Sequence, residues 1–232
     1  TGSGGSFLFT NCTFYGNSAA LGRGGAIYTG MDCKVINCTF TGNRAFNGGG
    51  FYGHNAGKMY TLINTICYNN IDENETGDIR RNNGDFTIYN CLATVVSPAL
   101  AENFDSNGNI LTTPAMKVFE NDAAPELKDN GGNTLTVALH ATQSMAAKAG
   151  IATAPAGIDV TIPTVDQRGY TRAAKPCMGA FELGGIEPVG IQTATADAKF
   201  NYSVEKGRLV IAESGECRIF NMLGAKITEL TI

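Results

Sequence analysis

Hydrophobic residues in the first part of the chain recur with a period of 26 or 27 positions. An asparagine marks each period and follows a short stretch in which apolar and polar positions alternate. The asparagines are Asn11, Asn37, Asn64 and Asn90. Two positions earlier lie Phe9, Val35, Leu62 and Ile88, and four positions earlier lie Phe7, Cys33, Tyr60 and Phe86. Alternation with period two predicts a strand with one buried face, and a repeat of this length indicates a solenoid.

A second short strand is predicted after each asparagine, where the apolar pattern resumes at Phe14, Phe40, Cys67 and Ala93. The asparagine therefore lies at a bend, because its side chain bonds to nearby backbone and it tolerates left-handed geometry. With coils stacked about 4.8 Å apart, the four asparagines are expected to form an internal ladder of amides.

Glycine pairs precede a further strand in each period, in GGAIY (24–28) and GGGFY (48–52). No amphipathic helical stretch separates these strands. The simplest architecture is an all-β coil of parallel sheet in which each turn contacts only its neighbours.

The repeated phrases resemble a known family of repeats. Phe14-x-x-Asn17 and Phe40-x-x-Asn43, beside Gly24-Gly25-Ala26-Ile27, are similar to the FxxN and GGAI motifs of the polymorphic outer-membrane protein repeats. The resemblance is strong over 4–52 and weaker over 60–93. It implies a right-handed single-stranded parallel β-helix, a pectate-lyase-like solenoid, on a secreted or cell-surface protein of the outer membrane.

The segment 125–182 resembles a second family, the choice-of-anchor Q domain. Its ordered motifs are PELKDNGGNTLTVAL (125–139), SMAAKAG (144–150), DQRGYTR (166–172) and MGAFE (178–182). Met145, Lys148 and the Cys177-Met178 pair depart from the usual residues of that family. The resemblance implies the end of a β-helical passenger on a surface-anchored protein.

Four charged residues within these motifs are predicted to form structural salt links. They are Asp166, Arg168, Arg172 and Glu182. Arginine and carboxylate pair with fixed geometry, so we expect these contacts where the chain returns over the last coils.

The composition changes near residue 184. Residues 184–197 are predicted to be a linker because of their Gly and Pro content. Three strand-like runs then follow, separated by Lys-Gly, Ser-Gly and Leu-Gly, and they resemble the small C-terminal β-sandwich of exported Bacteroidetes proteins. The predicted organisation is a β-helix over 1–183, a linker over 184–197 and a small antiparallel β domain or cap over 198–232.

The charge and the cysteine content limit the kinds of partner and metal site that the chain is expected to have. The net charge of −4 and the lack of a basic run argue against nucleic acid, and no stretch has the apolar length of a membrane span. The seven cysteines fit no CxxC zinc pattern. Cys12, Cys38 and Cys91 share an inward column and are predicted to be buried thiols, with a Cys12–Cys38 disulfide as the alternative.

The polar run 68–84 is predicted to be a loop on the flank of the solenoid. Its charged residues form the candidate ligand site, since loops on rigid scaffolds often bind ligands. They are Asp72, Glu73, Asp78, Arg80 and Arg81. Tyr28 and Tyr52 are added as an aromatic stripe that could meet a glycan, with ordinary packing between coils as the alternative. No catalytic residue, metal ligand or cofactor is predicted, with calcium left open.

Three functions are compatible with these observations. The first is a non-enzymatic surface protein, adhesin-like or structural, acting as a monomer with an extracellular glycan or protein as its partner. The second is a carbohydrate-binding module. The third is a polysaccharide lyase or glycoside hydrolase, which needs facing carboxylates that the repeat strands scarcely supply.

Overall fold

The computed structural model describes residues 5–74 and 77–187 in full, and the backbone of four strands between residues 202 and 231. The chain divides into two compact units, Thr1–Ile186 and Glu187–Ile232. None of the described helices has the length and apolar character that a bilayer crossing requires.

The described part of the first unit consists of short strands up to Leu111, with a short helical stretch before the last of them, and of irregular chain after it. In chain order the strands are β1 (Ser6–Thr10), β2 (Thr13–Tyr15), β3 (Ser18–Arg23), β4 (Ile27–Thr29), β5 (Asp32–Ile36), β6 (Thr39–Thr41), β7 (Arg44–Asn47), β8 (Phe51–Gly53), β9 (Met59–Ile63), β10 (Ile66–Tyr68), β11 (Ile71–Asp72), β12 (Ile79–Arg81), β13 (Asp85–Tyr89), β14 (Leu92–Ala93) and β15 (Ile110–Leu111). A 3-10 helix at Pro98–Leu100 and the helix α1 at Ala101–Phe104 precede β15.

The strands stack in parallel into four sheets. Sheet A has the order β1-β5-β9-β13, sheet B β15-β14-β10-β6-β2, sheet C β11-β7-β3 and sheet D β12-β8-β4. In sheet A, Phe9 lies beside Val35 and Val35 beside Leu62, which is the column predicted from the alternation. The fold is a β-solenoid of about three turns, consistent with the predicted right-handed parallel β-helix.

The bend asparagines adopt left-handed backbone geometry. Asn11, Asn37, Asn64 and Asn90 have φ angles of 52°, 51°, 51° and 48°. Asparagine tolerates this region better than most residues because its short polar side chain bonds locally. The repeated asparagine therefore turns the chain from sheet A into sheet B once per coil.

The core of the solenoid is a stack of like residues. Val35, Leu62 and Ile88 are buried in one column, and the rings of Phe14 and Phe40 stack with their centres 4.5 Å apart. Each such side chain contributes about 1.5–3 kcal/mol on full burial. Leu100 and Phe104 of the short helices join the same cluster, so the helical turn covers apolar residues of the last coil.

The run 68–84 is not a flank loop, and that prediction is wrong. It contains β11 and β12, which continue sheets C and D, and Ile79 is buried in the core below Phe51. Ile79 is the buried apolar residue of β12, whereas Ile71 of β11 is exposed, and buried polar side chains such as Asp78 fill the corner between the two strands. A polar run was therefore mistaken for a departure from the coil.

An irregular segment, residues 149–182, runs back across the bends and is called the strap. Between residues 149 and 165 the strap passes the bend asparagines in the reverse of their sequence order. Asn90 Nδ2 donates to Ala149 O, Asn64 Nδ2 to Ile151 O and Asn11 Nδ2 to Val165 O, each at 2.8 Å. Isoleucines of the strap pack on Ile36 and Ile63. The strap thus joins coils that are far apart in sequence.

The second unit contains two antiparallel strand pairs. They are β16 (Tyr202–Glu205) with β17 (Arg208–Ile211), and β18 (Glu216–Phe220) with β19 (Lys226–Thr231). The predicted small antiparallel C-terminal domain has these strands. Residues 188–197 of the predicted linker, and the side chain of Cys217, lie outside the described residues.

Candidate functional site

The two tyrosines of the predicted stripe are neighbours in register on sheet D. Tyr28 lies beside Tyr52 and Tyr52 beside Arg80, and the two rings are 5.5 Å apart. Tyr28 is 48% exposed, whereas Tyr52 is 2% exposed. Tyr52 is therefore not a surface contact as predicted, because neighbouring side chains cover its ring.

Two arginines cover the Tyr52 ring. The guanidinium carbon of Arg23 lies 5.6 Å from the ring centre and that of Arg80 lies 5.9 Å from it. Both distances fall in the range of cation–π contacts. Arg23 comes from β3 and Arg80 from β12, so cations from two different coils meet on one aromatic side chain.

Beside this cluster, an open cavity of about 490 Å³ lies at the corner between sheets C and D and is called the corner pocket. Its walls include Leu21, Arg23, Tyr28, Phe46 and Asn47. Leu21 and Phe46 are exposed, and the volume falls within the range of small-molecule sites. Sequence reasoning found Tyr28 and missed the other four, because they come from β3 and β7, which lie between the repeated motifs.

The five charged residues of 72–81 do not form one site. Glu73 Oε1 lies 2.6 Å from Arg44 Nη2, and Arg81 pairs with Asp85 at 3.9 Å. Asp72 accepts hydrogen bonds from the backbone N–H groups of Gly48 and Asn74. The predicted constellation is separated because alternate positions on a strand face opposite sides.

Asp78 is the remaining acid of that set. It is buried, and its carboxylate bonds to backbone and side-chain groups of the coil. Its Oδ1 accepts from the backbone N and the Nδ2 of Asn70, and its Oδ2 accepts from the backbone N of Thr94 and Val95. Burial raises the pKa of Asp78 to about 6, and the hydrogen bonds oppose the rise. A carboxylate held in this way is removed from any surface ligand.

Asp78 terminates a ladder of amides that the sequence reasoning did not identify. Asn17 Nδ2 donates to Asn43 Oδ1 at 2.9 Å, Asn43 Nδ2 to Asn70 Oδ1 at 2.8 Å, and Asn70 Nδ2 to Asp78 Oδ1 at 2.9 Å. This chain of bonds runs from coil to coil along the corner between sheets B and C. The signal was present, since Asn17 and Asn43 are the asparagines of the FxxN motifs.

The bend asparagines make a different set of contacts from the expected ladder. The Asn37 side chain lies between Asn64 Nδ2, 3.1 Å away, and the guanidinium of Arg172. Asn11 and Asn90 donate to strap carbonyls instead. These positions therefore hold the strap to the coils more than they hold one coil to the next.

The strap carries two buried ion pairs. Arg168 Nη2 lies 2.7 Å from Asp166 Oδ2, and Arg172 Nη1 lies 3.2 Å from Glu182 Oε2. The guanidinium of Arg168 also stacks on Phe181. Burial lowers the pKa of Arg172, and the charge of Glu182 opposes that effect.

These salt links reach the first coil rather than the last, which corrects their predicted place. Arg172 Nη2 donates to Asn11 Oδ1 at 3.0 Å, and Gln167 Oε1 accepts from the Thr13 hydroxyl at 2.6 Å. The strap has already crossed the bends when it reaches residue 165, so the charged residues that follow lie beside the start of the solenoid.

The cysteines of the solenoid are free thiols. Cys33, Cys38, Cys67, Cys91 and Cys177 are buried, and Cys12 is half-buried. Burial raises the pKa of Cys33 and of Cys91 to about 12. A hydrogen bond with the Cys38 thiol lowers the pKa of Cys12 to about 6. Across the described ranges, no group of three or more His, Cys, Asp or Glu side chains is placed to hold a metal ion.

A comparison with family models found one match. The model of the Chlamydia polymorphic membrane protein repeat matches residues 11–30. Residues 11–30 are thus similar to a polymorphic membrane protein repeat. No curated protein and no solved structure matches the chain. The resemblances to the choice-of-anchor Q domain and to the Bacteroidetes tail stay predictions.

The geometry explains each part of the polymorphic membrane protein repeat. Phe14 stacks on Phe40 in the core, and Asn17 donates to the next corner of the amide ladder. Gly25 lies against the backbone of the following coil, where a Cβ would clash with the carbonyl oxygen of Gly49. The motif therefore encodes a core contact, a polar corner and a close backbone approach between coils.

Proposed function

We propose that the chain is a non-enzymatic β-helix protein of the cell surface, adhesin-like in its action. The observation that carries this proposal is the polymorphic membrane protein repeat, residues 11–30, within a stacked solenoid. The repeat family is named for membrane proteins, which supports an outer-membrane or surface location. A rigid coil with exposed side chains at fixed spacing suits recognition of an extracellular glycan or protein.

The placement of the carboxylates favours binding over catalysis. A glycosidase needs two carboxyl groups on either side of one sugar bond, roughly 5–9.5 Å apart. Asp78, Asp166 and Glu182 are buried in hydrogen-bond networks, and Asp72 bonds to backbone N–H groups. These acids stabilise the coil, so the polysaccharide-lyase and glycoside-hydrolase alternatives are weaker.

The domain organisation forms part of the proposal. A β-helical passenger over 1–183 ends in choice-of-anchor Q motifs, a linker spans 184–197, and a tail over 198–232 resembles the C-terminal sandwiches of exported Bacteroidetes proteins. The buried pairs of Asp166 with Arg168 and of Arg172 with Glu182 give those motifs a physical role. They fix the strap that closes the passenger.

Two assays on the purified chain and on cells test this function. Antibody against residues 5–187 is expected to stain intact cells of the source organism, and beads coated with the folded chain are expected to adhere to glycan-bearing cell monolayers. Beads coated with heat-unfolded chain are the control. Staining only after permeabilisation would contradict a surface location. Release of unsaturated or reducing sugars from polygalacturonate would contradict the absence of catalysis.

A further inference from the structure

The arginines of the solenoid unit differ in whether they have a carboxylate partner. Those that form an ion pair are Arg44, Arg81, Arg168 and Arg172. Arg23 and Arg80 pair with no carboxylate of the described residues. The Nε of Arg80 is also buried without a hydrogen-bond partner among them. Packing on Tyr52, rather than an anion, holds both guanidinium groups in place.

These two unpaired cations converge on one aromatic ring, although they lie 57 positions apart in the sequence. Arg23 also lines the corner pocket, and Arg80 follows Tyr28 and Tyr52 in the same column of sheet D. In that column Tyr52 lies between Tyr28 and Arg80, and Arg80 is not among the residues that line the pocket. Arg23 therefore supplies the cation of the pocket, and an anion is the ligand group that it would bind.

The polar groups around the pocket are mainly donors. Asn47 Oδ1 accepts a hydrogen bond from Asn74 Nδ2 at 3.0 Å. Because the amide oxygen of Asn47 takes part in that bond, its NH2 group points the other way. Arginine has donors and no acceptor. The complementary ligand therefore carries several acceptor oxygens and a negative charge.

The apolar part of the pocket selects the rest of the ligand. Tyr28 presents a half-exposed ring beside Leu21 and Phe46, a surface suited to the C–H face of a sugar ring. The cavity of about 490 Å³ is open on one side, so it admits part of a longer chain. A planar guanidinium binds a carboxylate through two parallel bonds and a sulfate in a similar way.

We propose that the corner pocket binds an anionic pyranose, with the sugar ring on Tyr28 and its carboxylate or sulfate on Arg23. This inference rests on the proposed binding function and names the ligand class and the residues for it. Arg23 and Tyr28 recognise the ligand, and Tyr52 is a positioning residue that orients the Arg23 guanidinium.

Titration calorimetry on the full chain tests the site with defined probes. The first probe is a tetrasaccharide of galacturonic acid, and its fully methyl-esterified form is the uncharged control. A heparin-derived tetrasaccharide supplies sulfate in place of carboxylate, and tetraglutamate supplies the charge without the sugar. Binding of a charged tetrasaccharide is expected to be at least about tenfold tighter than binding of the methyl ester.

Single substitutions test which residues bind the ligand. Arg23→Gln and Tyr28→Ala alter exposed side chains and are each expected to weaken binding by about tenfold or more. Arg80→Gln should weaken binding less than Arg23→Gln does, because Arg80 does not line the pocket. Arg44→Gln is the matched control, because Arg44 is an exposed arginine on sheet C and pairs with Glu73; its affinity should equal that of the unaltered chain. A thermal melt of each variant confirms folding.

Each outcome decides the inference. Preference for the galacturonate or for the heparin fragment identifies the anion as carboxylate or sulfate and supports the site. Equal affinity for tetraglutamate, equal affinity of Arg23→Gln, or no binding of either charged tetrasaccharide overturns it. If the coated beads still adhere to cells in that case, the surface function stands and only this site is wrong.

Discussion

At the scale of single residues, side-chain amides occupy the places where the backbone of a β-solenoid turns. Asn17 and Asn43 each donate to the next coil, and Asn70 donates the last bond to Asp78 within its own coil. A row of amides needs an acceptor at its end, and a carboxylate serves because it accepts on both oxygens. The cost is a buried charge, which raises the pKa of Asp78.

That raised pKa predicts an unusual dependence of stability on pH. The pKa of Asp78 is about 6 in the folded chain, against an ordinary value of 3.8, so the folded state binds the proton more readily than the unfolded state. The contribution of Asp78 to the free energy of unfolding therefore increases as pH falls from about 7 to about 4, by up to about 3 kcal/mol.

Urea denaturation of the unaltered chain and of Asp78→Asn at both pH values isolates this effect, since the amide does not titrate. The difference in unfolding free energy between the two chains should shift in favour of the unaltered chain at the lower pH. A difference that is the same at both pH values would show that Asp78 is not held as a buried carboxylate.

Cys12 provides a second prediction at this scale. Its pKa is lowered to about 6 by the Cys38 thiol, whereas that of Cys33 is raised to about 12. Iodoacetamide at neutral pH should therefore label Cys12 before the other cysteines of the solenoid. Mass spectrometry on a Cys217→Ser background measures the order, and Cys38→Ala should slow the labelling of Cys12. Equal rates at Cys12 and Cys33 would contradict the hydrogen-bonded pair.

At the scale of elements, the strap is the feature that differs most from an ordinary stack of coils. It bonds to Asn90, Asn64 and Asn11 in turn and closes with two buried ion pairs. Removing one partner of a buried pair leaves an uncompensated charge. The ion pairs therefore hold the last part of the strap beside the first coil.

Glu182→Gln tests the strap through Arg172. The two side chains are 2% and 1% exposed, so the loss of the carboxylate leaves a buried cation and should lower the free energy of unfolding by about 3–5 kcal/mol. Glu73→Gln is the matched control. Its pair with Arg44 is 32% and 52% exposed and should cost about 0–1 kcal/mol. Similar losses for both variants in urea denaturation would contradict a structural role for the strap pair.

Sequence reasoning predicted the elements that are encoded locally. The columns of Phe9, Val35 and Leu62, and the bends at the asparagines, follow from alternation and from the conformational range of asparagine. The path of the strap could not be predicted, since Asn11 and Val165 are 154 positions apart and no local pattern records the contact. Asp78 was misplaced because polar residues of the run 68–84 fill inward corners that usually hold apolar ones.

Only part of the candidate site was predicted, because some of its contacts join residues that are far apart in the sequence. Tyr28 and Tyr52 stood out because they share a repeat position. Arg23 did not, because its contact with Tyr52 crosses from one coil to the next and depends on the irregular pairing of β3 with β7. The burial of Tyr52 likewise depends on neighbours that the repeat does not specify.

At the scale of the whole molecule, the contacts of the strap predict that it and the solenoid unfold as one cooperative body. In a simple stack each coil contacts only its neighbours, and end coils open first. Here the strap bonds to the first, third and fourth bends and thereby couples the ends. Such coupling keeps the exposed side chains of the coils at fixed positions, which suits the binding function proposed above.

Hydrogen exchange of the purified chain, followed by mass spectrometry, measures whether the strap and the coils open together. Strap amides with bonded partners, such as those of Ile151 and Arg172, should exchange as slowly as the strand amides of sheet A. Glu182→Gln should accelerate exchange in the strap and in the first coil together. Fast exchange of the strap in the unaltered chain, beside slow exchange in the coils, would contradict a single cooperative body.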